Sequence, residues 1–314
     1  MKVFYYFLAL TAALIFTSAK ISFSSFIGGS YDLKVKFFSP VIKKLLKKGA
    51  DSSFVYLLIN DPNVKFNEKF VKINITGYLK KVDYSKNYNY RSVKACRKFL
   101  KDNEQLLDNV ENIYKIPKEI ITSIVWIESK FGDVTGAYNI AGVFMSAAMA
   151  DQMQFYNMNM DEIRRQIIND TNEFKRHEKK LSDRTLKKVD WAINELLALN
   201  KIHRNATIEV NKIEGSWAGA FGIPQFLPSS FLKCAVDGNQ DGIVDLYNIE
   251  DAVFSVANYL KKSGWSNSLE SKKKAVFQYN NSDSYVDAVL ILASKLEEYA
   301  LKQEDVIEKG EEIR

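Results

Sequence analysis

The sequence predicts a mainly α-helical protein. From Arg91 onward, apolar residues recur with the 3.6-residue period of amphipathic helices, in stretches such as VKACRKFLKDNEQLLDNVENIY and IPKEIITSIVWIESKFG and through much of 149–199. Five prolines interrupt the 314 residues, and no internal repeat or low-complexity segment is visible. The chain is therefore expected to fold as packed helices.

Length and composition are those of a globular protein with a proper core. Apolar residues make up 46% of the chain, and the formal net charge is +6. The two cysteines, Cys96 and Cys234, can form at most one disulfide and cannot build a thiolate metal cluster. The two histidines, His177 and His203, exclude a multi-histidine metal centre. Chemistry in this chain is therefore expected to rest on carboxylates.

The first residues have the pattern of a secretory signal peptide. Lys2 precedes an apolar run from Val3 to Phe16, and small residues follow at 17–19. The run is shorter than the roughly 20 residues that span a bilayer. We expect residues 1–19 to be a cleaved signal peptide, with an uncleaved inner-membrane anchor over residues 3–19 as the alternative. Either way, the protein is predicted to be exported.

After the predicted signal peptide, the sequence predicts three regions. Residues 30–90 are predicted to form a helical packing region, in which VKFNEKFVKINITGYL alternates apolar and polar residues and predicts a short extended segment. The main helical domain is expected over residues 91–300, followed by a charged C-terminal tail over 301–314.

The mixed-charge run KRHEKKLSDR, from Lys175 to Arg184, is typical of a solvated helix face, although a basic surface also suits an anionic polymer.

Glu128 occupies a position where a core residue is expected. The apolar stripe of the helix after Pro117 consists of Ile120, Ile121, Ile124 and Val125. Glu128 is the next position on that stripe, where burial disfavours the carboxylate and raises its pKa. Glu128 is therefore a candidate general acid. The alternative is a glutamate at the edge of the stripe, capped or paired with Lys130.

The segment GSWAGAFGIPQF, from Gly215 to Phe226, is rich in glycine. Glycine allows positive φ and a close approach of backbone to a ligand. Ser216 and the Gln225 amide can both donate and accept hydrogen bonds, which suits sugar hydroxyl and N-acetyl groups. The alternative is a tight helix contact, or a helix start with Ser216 as its N-cap.

The stretch DGNQDGIVDLYNIED, residues 237–251, opens like an EF-hand loop. Its first oxygen-bearing side chains are those of Asp237, Asn239 and Asp241. The twelfth position, where a standard loop has a bidentate glutamate, is Asn248. Closure by Asp251, with the backbone oxygen of Ile243 and water, would complete a site for one structural Ca²⁺ or Na⁺. The alternative is an Asx-rich turn without metal.

A short polar aromatic stretch, YNNSDSY, runs from Tyr279 to Tyr285. Tyrosine rings stack on sugar faces while their hydroxyls form hydrogen bonds. The alternative is an N-capped helix start with ordinary surface tyrosines.

Taken in order, ESKFG at 128–132, GSWAGAFGIPQFLPSSF, AVDGNQDG, SVANYLKKSGW and QYNNSDSYVDAV resemble the lytic murein transglycosylase B family. The similarity covers most of the mature chain, and it is nearly without gaps from Gly215 to Trp265. It implies a lysozyme-like helical catalytic domain, an EF-hand-like loop lengthened to fifteen residues and closed by Asp251, and cleavage of peptidoglycan in the periplasm.

The resemblance also implies residue roles. Glu128 matches the family's single catalytic carboxylate, which acts as acid and then as base without a cofactor, so that the MurNAc–GlcNAc bond is replaced by a 1,6-anhydroMurNAc end. The saccharide groove is implied to be lined by Ser216, Gln225, Tyr259, Asn280 and Tyr285. The stretch AYNIAGVFMSAAMADQMQFYNM and the charged residues 151–196 depart from the family pattern and are expected to reshape one wall of the groove.

Two alternative functions keep the same fold. A hydrolytic muramidase would use water in place of the muramyl hydroxyl, and a non-catalytic peptidoglycan-binding or assembly protein would bind without turnover. The expected partner is the peptidoglycan glycan strand, and association with the membrane surface or with other cell-wall proteins stays open, as does the oligomeric state. No motif indicates nucleic-acid binding.

Overall fold

The computed structural model describes residues 29–76, 82–166, 171–205 and 208–311, and these are mostly helical. The helices in chain order are α1 Gly29–Lys47, α2 Ser52–Asn60, α3 Glu68–Thr76, a short 3₁₀ helix Ser85–Tyr88, α4 Tyr90–Asp102, α5 Glu104–Tyr114, α6 Lys118–Ser129, α7 Ile140–Ala147, α8 Met153–Gln166, α9 Thr171–Arg204, α10 Pro228–Cys234, α11 Ile249–Lys262, α12 Leu269–Tyr279 and α13 Asp283–Glu311. The mainly α prediction is confirmed. The chain forms two compact units, Met1–Pro62 and Asn63–Arg314.

The described part of the first unit is a pair of helices. Helix α1 packs on α2, and Phe54 and Leu58 of α2 are almost fully buried. The Nζ of Lys34 donates hydrogen bonds to the backbone oxygens of Leu58 (3.3 Å) and Asp61 (2.7 Å). Gly49, at φ 87°, follows the end of α1, where a glycine with positive φ is a common helix terminator.

The second unit is built around α6. This helix packs against α13, α4 and α11, and Ile121 and Ile124 are fully buried in one hydrophobic cluster with Val256 of α11 and Val289 of α13. Because α6 is surrounded on several sides, its last turn is held firmly. Glu128 lies in that last turn.

A second group of helices packs around α7 and the 34-residue α9. Helix α9 contacts α7, α8, α10 and α3, and every residue of α7 is buried. The strands found in the described residues are β1, Tyr138–Asn139, and β2, Glu214–Gly215, paired antiparallel with Tyr138 opposite Gly215. This ribbon joins the start of α7 to the glycine-rich segment.

Three segments differ from the sequence expectations. Residues 68–76 form helix α3 rather than an extended segment, because Phe70, Val71 and Ile75 are buried where α3 packs on α7 and α8. The compact units divide after Pro62, within the region predicted over 30–90, and α3 lies in the second unit. Residues 301–311 continue α13 rather than forming a tail.

The predicted signal peptide, residues 1–19, lies outside the described residues. Among the helices that are described, none combines the length and the apolar character needed to cross a bilayer.

Candidate active site

The backbone turns sharply directly after Glu128. Helix α6 ends at Ser129, and the next three residues have positive φ, at 55° for Lys130, 62° for Phe131 and 103° for Gly132. Two non-glycine residues in this region are uncommon, and packing stabilises them here. The Phe131 ring stacks on Phe99 with centroids 3.9 Å apart, and the Ser129 hydroxyl accepts a hydrogen bond from the Gly132 amide (3.0 Å). The end of α6 is therefore fixed in position.

Glu128 is a poorly solvated carboxyl group with one hydrogen-bond donor. Its side chain is only partly exposed, and Tyr285 donates its hydroxyl to Glu128 Oε1 at 2.5 Å. Desolvation by burial raises the pKa of Glu128 to about 7, against the opposing effects of the Tyr285 hydrogen bond and the Lys130 charge. A carboxyl group with this pKa carries a proton for a large fraction of the time near neutral pH.

Lys130 does not form an ion pair with Glu128. Its Nζ donates instead to Asn87 Oδ1 (2.7 Å) and to the Trp126 backbone oxygen (2.9 Å), and it lies over the Trp126 ring at 4.5 Å. The alternative in which Glu128 is a structural ion-pair partner of Lys130 is therefore wrong. Within the described part of the chain, Glu128 Oε2 takes no hydrogen bond.

Tyrosine rings surround the acid. The Tyr285 ring packs edge-on against Tyr84 at 5.6 Å and parallel to Tyr279 at 6.5 Å, and Tyr279 contacts Tyr259 at 4.7 Å. Burial raises the pKa of both Tyr279 and Tyr285 well above the ordinary value. Their hydroxyls therefore stay protonated and act as hydrogen-bond donors.

The glycine-rich segment forms a tight turn rather than a helix. The Ser216 amide donates to the Ala220 backbone oxygen (2.7 Å), and the Ala220 amide donates to the Ser216 hydroxyl (3.2 Å). A side chain at Gly215 would place its Cβ 2.2 Å from that Ala220 oxygen. Glycine is therefore required at this close approach. Ser216 is the first residue of the turn and not a helix N-cap.

The side chain of Gln225 is held by hydrogen bonds to two backbone carbonyl groups. It has a φ of 51°, and its Nε2 donates to the Thr135 and Gly222 backbone oxygens, both at 2.9 Å. The amide nitrogen is thus fully used in bracing the turn. The side-chain oxygen of Gln225 accepts no hydrogen bond from the described residues, so only this atom remains for a ligand.

The five residues predicted to line the saccharide groove make different contacts. Tyr285 contacts Glu128 directly and is only 1% exposed, so its ring presents no open face to a ligand. Tyr259 donates its hydroxyl to the Gln278 backbone oxygen (2.7 Å). Asn280 is the C-cap residue directly after α12, and its side chain forms a hydrogen bond with Tyr84 that lowers the pKa of the Tyr84 hydroxyl. Ser216 and Gln225 lie on the turn.

Two residues of this cluster were not predicted as site residues. Tyr279 donates its hydroxyl to the Pro224 backbone oxygen (2.6 Å), which ties the end of α12 to the glycine-rich turn. Tyr84 packs on Tyr285, and the Glu128 charge raises its pKa further after desolvation. Tyr279 begins the polar aromatic stretch, so a signal existed, but nothing in the sequence around Tyr84 marks it.

The predicted ion loop is organised by its own side chains. Asp237 accepts hydrogen bonds from the amides of Asp241 (3.2 Å) and Gly242 (2.8 Å), and Asn239 Oδ1 also accepts from Asp241 (3.1 Å). Asn239 Nδ2 donates to Asp241 Oδ2 at 3.0 Å. The three oxygen-bearing side chains of the loop opening are therefore gathered at one turn. Ile243 follows them with a half-exposed side chain.

Asp251 closes this loop through the backbone. Its carboxylate is fully buried and accepts from the amides of Gly238 (2.7 Å), Asn239 (3.4 Å) and Asp245 (2.6 Å). Asn248, at the twelfth position, instead caps α11 by accepting hydrogen bonds from the Glu250 and Asp251 amides. No cluster of three or more His, Cys, Asp or Glu side chains suited to a metal occurs in the described residues. The side-chain oxygens at the opening of this loop come from two aspartates and one asparagine, Asp237, Asp241 and Asn239.

The two cysteines take no part in this chemistry. Both are buried and free rather than joined, and burial raises the pKa of Cys96 to about 12. A thiol with so high a pKa is inert at neutral pH.

Sequence comparison gives one family and one curated relative. The profile of the transglycosylase SLT domain matches residues 62–273. The membrane-bound lytic murein transglycosylase B of Escherichia coli K12 is 28% identical over 162 residues, which are 52% of this chain and 36% of that protein. The chain therefore matches only about a third of the length of this relative.

Comparison with solved structures gives the same fold. The E. coli lytic transglycosylase Slt35 in complex with bulgecin A matches with a TM-score of 0.63 and 18% identity over 84% of this chain and 93% of that one, and its complex with calcium matches with a TM-score of 0.61, 18% identity and coverages of 85% and 94%. SltB3 from Pseudomonas aeruginosa in complex with NAG-NAM-pentapeptide has a TM-score of 0.61 and 18% identity over 86% and 80%. At these identities the likeness establishes the mainly helical fold.

Proposed function

Since the chain belongs to the transglycosylase SLT domain family, we propose that it is a peptidoglycan lytic transglycosylase with Glu128 as its single catalytic carboxylate. The observation that carries the proposal is the state of Glu128: a desolvated carboxyl group with a pKa of about 7 and a tyrosine hydroxyl on one oxygen. Such a group can give a proton and take one back near neutral pH.

Glu128 acts first as a general acid. Its proton goes to the glycosidic oxygen between N-acetylmuramic acid and N-acetylglucosamine, and the bond from that oxygen to muramyl carbon 1 breaks. The carboxylate that forms is stabilised by the Tyr285 hydroxyl, which already donates to Oε1. Because Tyr285 is buried and keeps its own proton, it stabilises the charge without neutralising it.

Glu128 then acts as a general base. It removes the proton from the muramyl 6-hydroxyl, whose oxygen bonds to carbon 1 and closes the 1,6-anhydro ring. The proton returns to Glu128, so no water is consumed. A hydrolytic glycosidase of the paired-carboxylate type needs a second carboxylate for its water or its covalent intermediate. The charged side chain that influences the pKa of Glu128 is Lys130, which lowers it.

The remaining site residues hold the glycan. We assign sugar hydrogen bonding to the Ser216 hydroxyl, the Gln225 side-chain oxygen and the Asn280 amide, and ring contact to Tyr259. Tyr285 is assigned to orienting Glu128. Support for a glycan substrate comes from SltB3, whose solved complex contains NAG-NAM-pentapeptide.

An exported, periplasmic protein fits this substrate, because peptidoglycan lies outside the cytoplasmic membrane. The support is the signal-peptide pattern of residues 1–19.

The loop at 237–251 suits one structural Ca²⁺ or Na⁺. Asp237, Asn239 and Asp241, with the backbone oxygen of Ile243, form the hard oxygen set that such ions prefer. Asp251 would close the site while keeping its amide contacts. A structure of Slt35 was solved with calcium. The ion has no part in the proton transfers.

The loop proposal predicts a thermal stabilisation. A millimolar excess of Ca²⁺ over EGTA should raise the Tm by several degrees if the site is filled, as expected for a ligand that binds the folded state. Asp237→Asn/Asp241→Asn should remove this shift without changing turnover, and Asp102→Asn/Asp108→Asn is the control. An equal calcium shift in both double variants would rule out the loop as the site.

The test of the activity is mass spectrometry of muropeptides released from purified peptidoglycan. The mature protein is compared with Glu128→Gln and with Asp133→Asn, a neighbouring exposed acid. Anhydro-muropeptides from the parent and from Asp133→Asn, but not from Glu128→Gln, are expected. Products one water heavier would make the protein a muramidase, and a lack of products from all three would indicate a non-catalytic binding protein.

A further inference from the structure

Helix α9 carries a groove that the proposed reaction does not use. The groove has a volume of about 600 Å³ and is lined by α9 itself. Its cationic residues are Arg176, Lys179, Lys180, Arg184, Lys187 and Lys188. We call it the basic groove. The acid found in its described lining is Asp183, and Trp191 lies at one end.

The cations follow the helical repeat. They lie three to four residues apart in successive turns, so they share one side of α9. From Arg176 to Lys188 the helix rises about 18 Å, at roughly 1.5 Å per residue. The groove therefore has one positive charge for every few ångströms of its length. Such a row repels itself, and it is stabilised by a ligand with several negative charges.

The floor of the groove is ordered by contacts to the protein. The Nε of Arg184 donates to the Ile75 backbone oxygen at 2.6 Å, which fixes its guanidinium end. Lys188 Nζ lies 3.9 Å from the Trp191 ring centroid. Desolvation and the Arg184 charge lower the pKa of Lys188 to about 8, while Glu195 raises it. Arg184 and Lys188 are therefore held against the protein, whereas the side chains of Arg176, Lys179, Lys180 and Lys187 are exposed.

Within the second unit, hydrogen bonds between α9 and α10 connect the basic groove to the candidate active site. Glu195, two turns beyond Lys188 on α9, accepts hydrogen bonds from the Ser229 amide and hydroxyl, both at 2.8 Å. Ser229 lies in the first turn of α10, which directly follows the turn that carries Ser216 and Gln225. A polymer held in the groove would therefore be held at a fixed place relative to the turn.

We propose that the basic groove binds the free carboxylates of the peptide stems of peptidoglycan, as a second contact with the polymer outside the saccharide groove. The inference rests on the proposed function for the identity of the polymer. Peptidoglycan carries carboxylates at repeated intervals, and arginine and lysine are their usual partners. The groove lacks free aromatic rings for sugar stacking in its described lining, since Trp191 is covered by Lys188.

The experiment measures binding of the full mature protein to purified sacculi. All proteins carry Glu128→Gln so that the polymer is not degraded. Lys179→Glu/Lys187→Glu reverses two exposed charges of the groove, and Lys94→Glu/Lys101→Glu reverses two exposed charges on α4 as a control with the same change in net charge. We expect the groove variant to lose about tenfold in affinity at low ionic strength and the difference to shrink toward ~0.15 M salt.

Two further probes identify the anion. Sacculi whose carboxylates have been amidated should bind the parent and the groove variant equally weakly. Vesicles containing phosphatidylglycerol should bind far less than sacculi. Lys179→Gln/Lys187→Gln should fall between the parent and the reversed variant. An equal loss in the α4 control, undiminished binding to amidated sacculi, or a preference for the vesicles would overturn the proposal.

Failure of this proposal differs from failure of the proposed function. With Glu128 restored, Lys179→Glu/Lys187→Glu should release anhydro products from short soluble glycan fragments at the parent rate. If turnover is normal and sacculus binding is unaffected by the groove variant, the groove proposal is wrong and the activity stands. If no protein turns over but binding still depends on the groove, the activity is wrong and the groove proposal stands.

Discussion

Glu128 and Glu195 are both poorly solvated glutamates with a pKa raised by desolvation, yet their surroundings differ. Glu195 is 4% exposed, and its two oxygens accept from the amide and the hydroxyl of Ser229 at the start of α10. Glu128 is partly exposed and takes one hydrogen bond, from Tyr285.

The difference shows that a raised pKa does not by itself mark a catalytic acid. Both carboxylate oxygens of Glu195 are occupied, and its charge lies at a helix N-terminus, which favours the ionised form. Glu128 keeps one oxygen that no described residue contacts. Both exposure and hydrogen-bond saturation distinguish Glu195, whose two oxygens are occupied, from Glu128, which we propose as the reactive acid.

The strongest test of this comparison is Glu128→Gln. Turnover should fall by about 10³-fold, in the range for loss of a general acid. The pKa in the folded protein, about 7, lies above that of an unfolded glutamate. The parent therefore loses stability as pH rises from about 4.5 to about 7, and the loss stays constant above that range. Glutamine does not titrate.

Thermal melts of parent and Glu128→Gln should therefore coincide near pH 4. By pH 8 they should separate in favour of the variant by about 1–3 kcal/mol. A difference that does not change with pH would mean that Glu128 is solvated, and the contrast with Glu195 would disappear.

Glu195→Gln should act on stability and not on chemistry. The amide cannot accept from both Ser229 donors, so unfolding should become easier by about 2 kcal/mol. Turnover per folded molecule, measured well below the Tm, should stay within about twofold of the parent. Glu270→Gln, an exposed first-turn glutamate of α12, is the control. A loss of turnover comparable with that of Glu128→Gln would break the distinction.

Tyr285→Phe sharpens the comparison by removing the one donor to Glu128. Because this hydrogen bond lowers the pKa of Glu128, its loss should raise that pKa and shift the alkaline limb of kcat/KM to higher pH. The carboxylate that forms on Glu128 during the reaction would also lose its hydrogen-bond donor, so the plateau value of kcat/KM should fall by about tenfold. The pH profile is compared with that of Tyr90→Phe, whose side chain is exposed. A shift of the limb to lower pH would contradict the assigned role.

Several parts of the fold and site could be predicted because they depend on local sequence. The periodicity of α6 predicted both the helix and the intrusion of Glu128 into its apolar stripe, and the glycines predicted positive φ and close backbone approaches in the segment that carries Ser216 and Gln225. The alternation of apolar and polar residues at 64–79 predicted an extended segment, where residues 68–76 form helix α3. A period of two over a few residues is a weak signal compared with the packing of α3 on α7 and α8.

Sequence by itself determined which chemical groups are available: one acid on an apolar stripe, a glycine-rich turn, an oxygen-rich loop, and no thiol or histidine cluster. The tertiary structure decided which of them meet. Tyr285 reaches Glu128 from 157 residues away, and Tyr84 joins them from a segment without any local signal. Desolvation and hydrogen-bond saturation depend on such distant neighbours, and no local pattern encodes them.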